Sequence, residues 1–197
     1  MGITAPEFLG GSGLARDAYE YAEDAHEGQQ RKGGDSPYIV HPVEVARILH
    51  AEGHADDELI AATFLHDVVE DTDHTLDEIR ERFGPDVAEL VAAMTEDSSV
   101  EPYEARKEHH RDQVEAAGVR PATIYAADKL ANLRDLRTRY AIEGEAVAAK
   151  FNAPLDVRVR LWRGDAEMVA RLAPDLDLLA ALRSELDAFD AERATTA

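Results

Sequence analysis

Residues 61–72 place two opposing demands on any fold this chain can adopt. Ala61, Ala62, Phe64 and Leu65 are apolar and call for burial, and they lead straight into His66-Asp67-Val68-Val69-Glu70-Asp71-Thr72. One imidazole and three carboxylates therefore fall within six residues of what reads as a mostly buried helix. Side chains four apart share a helical face, so His66 is expected over Glu70 and Asp67 over Asp71. Carboxylates buried without compensating charge are very costly. A divalent cation is the simplest compensation, and residue chemistry alone marks the segment as a metal site.

Composition narrows the class. The formal net charge is -20, from 41 acidic residues against 21 Lys and Arg. This argues against duplex nucleic acid or an anionic membrane as partner, because such surfaces are bound through excess positive charge. A phosphate-bearing substrate would need a local basic patch. The chain has no cysteine, which excludes a disulfide scaffold, a thiolate zinc site and a cysteine nucleophile. No stretch approaches the ~20 apolar residues of a membrane span. No apolar signal core follows the N-terminus, and Pro6 stands where a myristoylation signal carries Ser or Thr. A soluble cytoplasmic protein is the expectation. No pattern in the chain fixes an oligomeric state.

Hydrophobic residues make up 45% of the 197, enough for a core, and the length fits one domain. Residues 1–13, ending in Gly10-Gly11-Ser12-Gly13, read as a flexible leader, residues 14–190 as a single domain and 191–197 as a flexible tail. Leu14, Ala18, Tyr21, Ala22 and Ala25 have helical spacing. The polar, glycine-bearing stretch 28–37 reads as a loop, after which His41-Pro42 opens a helix with Pro at a tolerated early position. Asp56 or Asp57 caps the helix carrying His66-Asp67. Thr75 with Glu78 reads as a capping box, and Gly84 ends that helix before Pro85 starts another. Helical patterns continue over 103–117, 121–137, 154–173 and 174–189, and no run alternates long enough to make a strand. The expected fold class is all-α, a helical bundle with short polar links.

A hydrolytic metal needs about four mixed nitrogen and oxygen ligands, with positions left for water or substrate. His66 and Asp67 supply two. Asp128 is the third candidate, punctuating an apolar helical face with Asn132 one turn on, and His41 is the fourth, at a loop-to-helix junction. Imidazole and carboxylate without thiolate suit Mn²⁺, Fe²⁺ or Mg²⁺, and Zn²⁺ is compatible. The remaining histidines read more plainly: His26 as a core or supporting residue, and His50, His54, His74, His109 and His110 as surface. Tyr38 reads as packing, and Trp162 with Leu155, Val159 and Leu161 as core.

Arg31-Lys32-Gly33 with Pro37-Tyr38-Ile39-Val40-His41-Pro42, then Leu65-His66-Asp67-Val68-Val69-Glu70-Asp71-Thr72, then Ala127-Asp128-Lys129-Leu130-Ala131-Asn132-Leu133-Arg134-Asp135 stand in that order. Over about residues 14–170 the chain resembles the HD-domain phosphohydrolases, specifically the stand-alone hydrolases related to the alarmone-degrading domain of RelA/SpoT proteins. The resemblance implies metal ligation by His41, His66, Asp67 and Asp128, usually of Mn²⁺. It implies that Glu70 and Asp71 handle the protons of the attacking water and leaving oxygen. Arg31 and Lys32 would contact base and phosphates of a nucleotide, and Asn132 the sugar or a phosphate. The implied reaction takes the 3′-pyrophosphate from guanosine tetra- or pentaphosphate. One position departs: where relatives commonly carry a basic residue, three before the later Asp, this chain has Tyr125. Two alternatives stand beside this reading. One is the same chemistry on another nucleotide, such as the 2′-phosphate of NADPH, and the other is a catalytically silent nucleotide-binding module.

Overall fold

The computed structural model describes residues 5–10, 13–31, 36–54 and 56–196. Among these the fold is all-α, with one isolated antiparallel bridge between Gln30 and Pro37. The chain divides into two units, residues 1–96 and 97–197.

The first unit holds α1 (Leu14–Ala25), α2 (Val40–Ala51), α3 (Asp57–Leu65), α4 (Val68–Asp71), α5 (Leu76–Phe83) and α6 (Pro85–Met94). Its centre is α3, in which every residue from Leu59 to Leu65 is buried. That run is hydrophobic all round, the pattern of a helix with neighbours on every side, and α1, α2 and α6 all pack on it. Ala18 and Ala22 of α1 and Ala61 and Ala62 of α3 are fully buried, and small side chains let the backbones approach. Tyr19 meets Phe64 edge-on at 5.6 Å. Asp56 caps α3 by accepting from Leu59 N at 2.7 Å. The expected capping box forms, with Glu78 N donating to Thr75 Oγ1 at 3.3 Å and Thr75 N to Glu78 Oε2 at 2.7 Å. Gly84, at φ 91°, makes the corner into α6, where a side chain would be strained.

Three expectations need correction. His66 and Asp67 do not share one continuous helix: α3 stops at Leu65, and the four-residue α4 starts at Val68. Asp67, at φ -99° and ψ -7°, stands at the joint. The Thr63 carbonyl accepts from His66 Nδ1 at 2.7 Å, so a side chain competes for the helical ladder there. Glu7–Leu9 of the expected leader forms a short 3₁₀ turn whose Phe8 stacks on His50 at 4.3 Å. The last helix runs to Thr196, through the segment expected as a tail.

The second unit holds α7 (Tyr103–Ala117), α8 (Val119–Glu143), α9 (Leu155–Leu172) and α10 (Asp177–Thr196). The 25-residue α8 is its spine, packed by the other three helices. It also carries buried charge. Lys129 Nζ donates to Asp128 Oδ2 at 2.8 Å and lies 4.1 Å from the centre of the Tyr125 ring. Arg111 Nε donates to Asp165 Oδ1 at 2.7 Å and its Nη2 to the Leu161 carbonyl at 3.0 Å. Burial pushes the Asp165 carboxyl up, and Lys129, Arg111 and a hydrogen bond from Tyr125 pull it back. Burial would lower the Lys129 ammonium, but Asp128, Tyr125 and Asp165 outweigh it and hold it well above its ordinary value. A Cβ at Gly164 would come within 2.9 Å of the Arg111 guanidinium carbon, so the ion pair occupies that space. His110 was expected on the surface; it is buried, its ring edge-on to Tyr125 at 5.2 Å, while His109 is exposed as expected. Removing one partner of a buried pair leaves the other uncompensated, so Asp165→Ala should lower stability by about 3–5 kcal/mol. Urea unfolding followed by circular dichroism measures this; a loss below about 1 kcal/mol would mean that Arg111 finds another partner or water.

Candidate active site

In the first unit three donors converge. His41, in the first turn of α2, is oriented by the preceding turn, in which its N–H donates to the Tyr38 carbonyl at 2.9 Å. His66 closes α3 and Asp67 opens α4. Both imidazoles are buried, at 5% and 2% exposure, and their ring centres lie 5.3 Å apart. Asp67 Oδ2 is 3.2 Å from His66 Nε2 and 3.7 Å from His41 Nε2.

The tautomer of His66 follows from its neighbour. A carbonyl only accepts, so Nδ1 carries the proton given to Thr63 O. In the neutral ring Nε2 then bears a lone pair, and it faces a carboxylate oxygen at 3.2 Å. Two acceptors at that distance repel unless a cation lies between them or the ring is protonated. An imidazole whose other nitrogen is fixed by a backbone carbonyl is the usual form of a metal-ligating histidine. Two imidazoles and a carboxylate therefore fit a divalent ion.

Tyr38 donates from its hydroxyl to the same Asp67 Oδ2 at 2.6 Å. Burial, then the Asp67 and Asp71 carboxylates, push its phenol far above the ordinary range, so it remains a donor. The sequence marked Tyr38 as packing. It does pack, stacked on His26 at 4.4 Å, but it is also the residue that orients a metal-ligand candidate.

Glu70 and Asp71 lie on the exposed side of α4, and Glu70 Oε2 accepts from Glu96 N at 3.2 Å. The Asp71 backbone carbonyl accepts from Gln29 Nε2 at 2.8 Å. Arg31 is half-buried, with its N–H donating to the Ser36 carbonyl at 3.0 Å. Lys32 lies outside the described residues.

In the second unit Asp128 is buried and held from both sides. Oδ2 accepts from Lys129, and Oδ1 from Asn132 Nδ2 at 2.7 Å. Asn132, taken as a substrate contact, thus also orients a carboxylate. Tyr125, the departure from the related pattern, is buried against Lys129 and His110.

Arg158 is the residue that sequence reading missed. Its guanidinium lies 4.4 Å from the Phe151 ring centre and 4.9 Å from that of Trp162, and Nη1 donates to Tyr103 Oη at 3.3 Å. Its Nε is buried without a hydrogen-bond partner, and no carboxylate among the described residues pairs with it. Burial lowers its pKa, with Tyr103 and Asp128 countering. The available signal was a single cation within the apolar pattern of Leu155, Val159 and Trp162.

Comparison with known proteins follows the same lines. The family described as HD domain matches residues 18–157. Guanosine-3′,5′-bis(diphosphate) 3′-pyrophosphohydrolase MESH1 of Homo sapiens is 43% identical over 138 residues, covering 69% of this chain and 73% of that protein. The guanosine-3′,5′-bis(diphosphate) 3′-pyrophosphohydrolase of Aquifex aeolicus is 38% identical over 150 residues, 74% of this chain but 21% of that longer protein. The solved structure of a metazoan SpoT ortholog that hydrolyses ppGpp superposes with a TM-score of 0.70 at 30% identity, covering 97% of this chain and 98% of that one. With the matched region taking in most of the residues and the relatives carrying the same helical architecture, the chain belongs to the HD domain family.

Proposed function

We propose that this chain is a metal-dependent hydrolase that removes the 3′-pyrophosphate of guanosine tetra- or pentaphosphate, giving GDP or GTP and pyrophosphate. The observation that carries the reaction type is the facing of His66 Nε2 and Asp67 Oδ2 beside His41, a donor set that a divalent cation would bring together. The substrate comes from relatives at 38–43% identity that are named for this reaction.

His41, His66 and Asp67 would hold the ion, with Asp128 as the fourth ligand and Mn²⁺ as the metal; Fe²⁺, Mg²⁺ and Zn²⁺ suit the same donors. When bound, such an ion eases deprotonation of a water and screens phosphate charge. Glu70 and Asp71 handle protons. One takes a proton from water as its oxygen attacks the phosphorus joined to ribose O3′. The O3′–P bond breaks, and the proton goes to O3′ as pyrophosphate leaves. Proton transfer of this kind contributes ~10²–10⁴-fold. Their carboxylates must face the water, since they would repel phosphate oxygens. Arg31 and Lys32 contact base and phosphates, Asn132 the sugar or a phosphate, and Arg158 a phosphate. A guanidinium held between aromatic rings is already desolvated and oriented for that contact. A cytoplasmic location is part of the same proposal, as the compartment where such a nucleotide is met. No helix among the described residues is long and apolar enough to cross a membrane.

Tyr125, in place of a basic residue, supports a second reading in which the same centre acts on another nucleotide, such as the 2′-phosphate of NADPH. A phosphate-release panel separates the two.

Metal-stripped protein given Mn²⁺ should release pyrophosphate and GDP from guanosine tetraphosphate, and Glu70→Gln should lower kcat by about 10²–10⁴-fold. Unchanged turnover in Glu70→Gln would remove Glu70 from its role. Tyr38→Phe frees Asp67 from its hydrogen bond and should weaken Mn²⁺ binding by about 10–100-fold in a calorimetric titration. Arg158→Met should reduce kcat/KM by about 10–100-fold, the loss of a charged hydrogen bond to phosphate. If kcat/KM held, the phosphate contact would lie elsewhere.

A further inference from the structure

The helix α4 is a single turn of four residues, and a turn that short has no stability of its own. Glu70 and Asp71 must therefore be placed by ties from outside it. One is the Gln29 amide on the Asp71 carbonyl at 2.8 Å. That tie leads back to a buried histidine. His26 Nδ1 lies 2.9 Å from Gln29 Oε1. The Asp71 carbonyl only accepts, which fixes the Gln29 amide nitrogen toward Asp71 and its oxygen toward His26. His26 Nδ1 is therefore the donor. The same imidazole, 3% exposed, stacks on Tyr38 with the ring planes 24° apart, and Tyr38 is the residue bonded to Asp67. The backbone closes the arrangement, with Gln29 N donating to the His26 carbonyl and Tyr38 N to the Gln29 carbonyl, both at 3.0 Å. Gly28, at φ 78°, makes the turn.

His26 Nε2 is buried with no hydrogen-bond partner among the described residues, and burying such an acceptor costs free energy. A phenyl ring would stack on Tyr38 without that cost. What imidazole adds is the Nδ1–H, directed at Gln29. We propose that His26 is a positioning residue for the hydrolytic centre. Its ring holds Tyr38 on Asp67, and its Nδ1–H orders Gln29 so that the amide fixes the end of α4 and with it Glu70 and Asp71. This rests on the hydrolase reading above and extends it to a residue that touches neither metal nor substrate.

The test compares wild type, His26→Ala, His26→Asn and Gln29→Leu by steady-state kinetics on guanosine tetraphosphate with Mn²⁺, and by amide hydrogen exchange over residues 66–73. Displaced catalytic groups cost turnover, so His26→Ala should lower kcat by about 10–100-fold, with KM within about threefold of wild type. His26→Asn keeps a nitrogen donor where Nδ1 stood and should recover part of kcat. Gln29→Leu, at a half-exposed position, should lower kcat by about tenfold and speed exchange over 66–73; it carries the test if His26→Ala does not fold. A folded His26→Ala or Gln29→Leu with wild-type kcat and wild-type exchange overturns the inference, as does a His26→Asn no better than Ala. Wild-type protein that leaves guanosine tetraphosphate intact would instead overturn the substrate reading. Exchange over 66–73 then decides the role of His26: faster exchange in the variants supports it, and unchanged exchange overturns it.

Discussion

The site is organised around one close approach, His66 Nε2 set 3.2 Å from the carboxylate of Asp67. Neither group can turn away. Thr63 holds the imidazole through Nδ1, and Tyr38 holds the carboxylate through its hydroxyl. An imidazole nitrogen and a carboxylate oxygen held facing each other, each fixed from behind, is the arrangement a preorganised metal centre requires. The helix break at His66-Asp67 is part of it, since a continuous helix would place these two side chains on diverging faces.

Buried charge is handled differently in the second unit. Charge there is buried in compensated sets: Asp128 with Lys129 and Asn132, and Asp165 with Arg111. Buried ion pairs add little net stability, because desolvation consumes most of the attraction. Their consequence is orientation. Both oxygens of Asp128 have a fixed donor, so its carboxylate plane is defined. Arg158 is the exception, a half-buried cation held by rings and a phenol, with no ion-pair partner among the described residues. In a chain of net charge -20, that exception is informative. Acidic side chains are abundant, yet none among the described residues forms an ion pair with this guanidinium, and only the charge of Asp128 bears on it.

The candidate ligands are held in place by residues outside the ligand set. His26, Gln29 and Tyr38 belong to the stretch from the end of α1 to the start of α2, and they reach Asp67 and Asp71 through three hydrogen bonds and one ring stack. The sequence marked His26 as a core or supporting residue, and nothing in it singled out Gln29. Their part follows from the chain passing beside α4, which is too short to fix its own carboxylates.

What the sequence determined by itself was local or chemical. Helical spacing, the Asp56 cap, the Thr75–Glu78 box and the Gly84-Pro85 corner depend on residues three or four apart, and they were legible for that reason. The candidate ligands His41, His66, Asp67 and Asp128 could be picked out because imidazoles and carboxylates stand out within apolar runs. Tertiary structure decided what depends on residues distant in the chain. It set the partner of Tyr38, 29 positions away, and the Arg111–Asp165 pair, 54 apart. It buried His110 against Tyr125, although adjacent histidines in a polar helix read as surface. It also ended α3 one residue before His66, because a side-chain hydrogen bond to Thr63 competed with a ladder that periodicity alone would have continued. Periodicity reports which face a residue takes; only packing in three dimensions decides what meets it there.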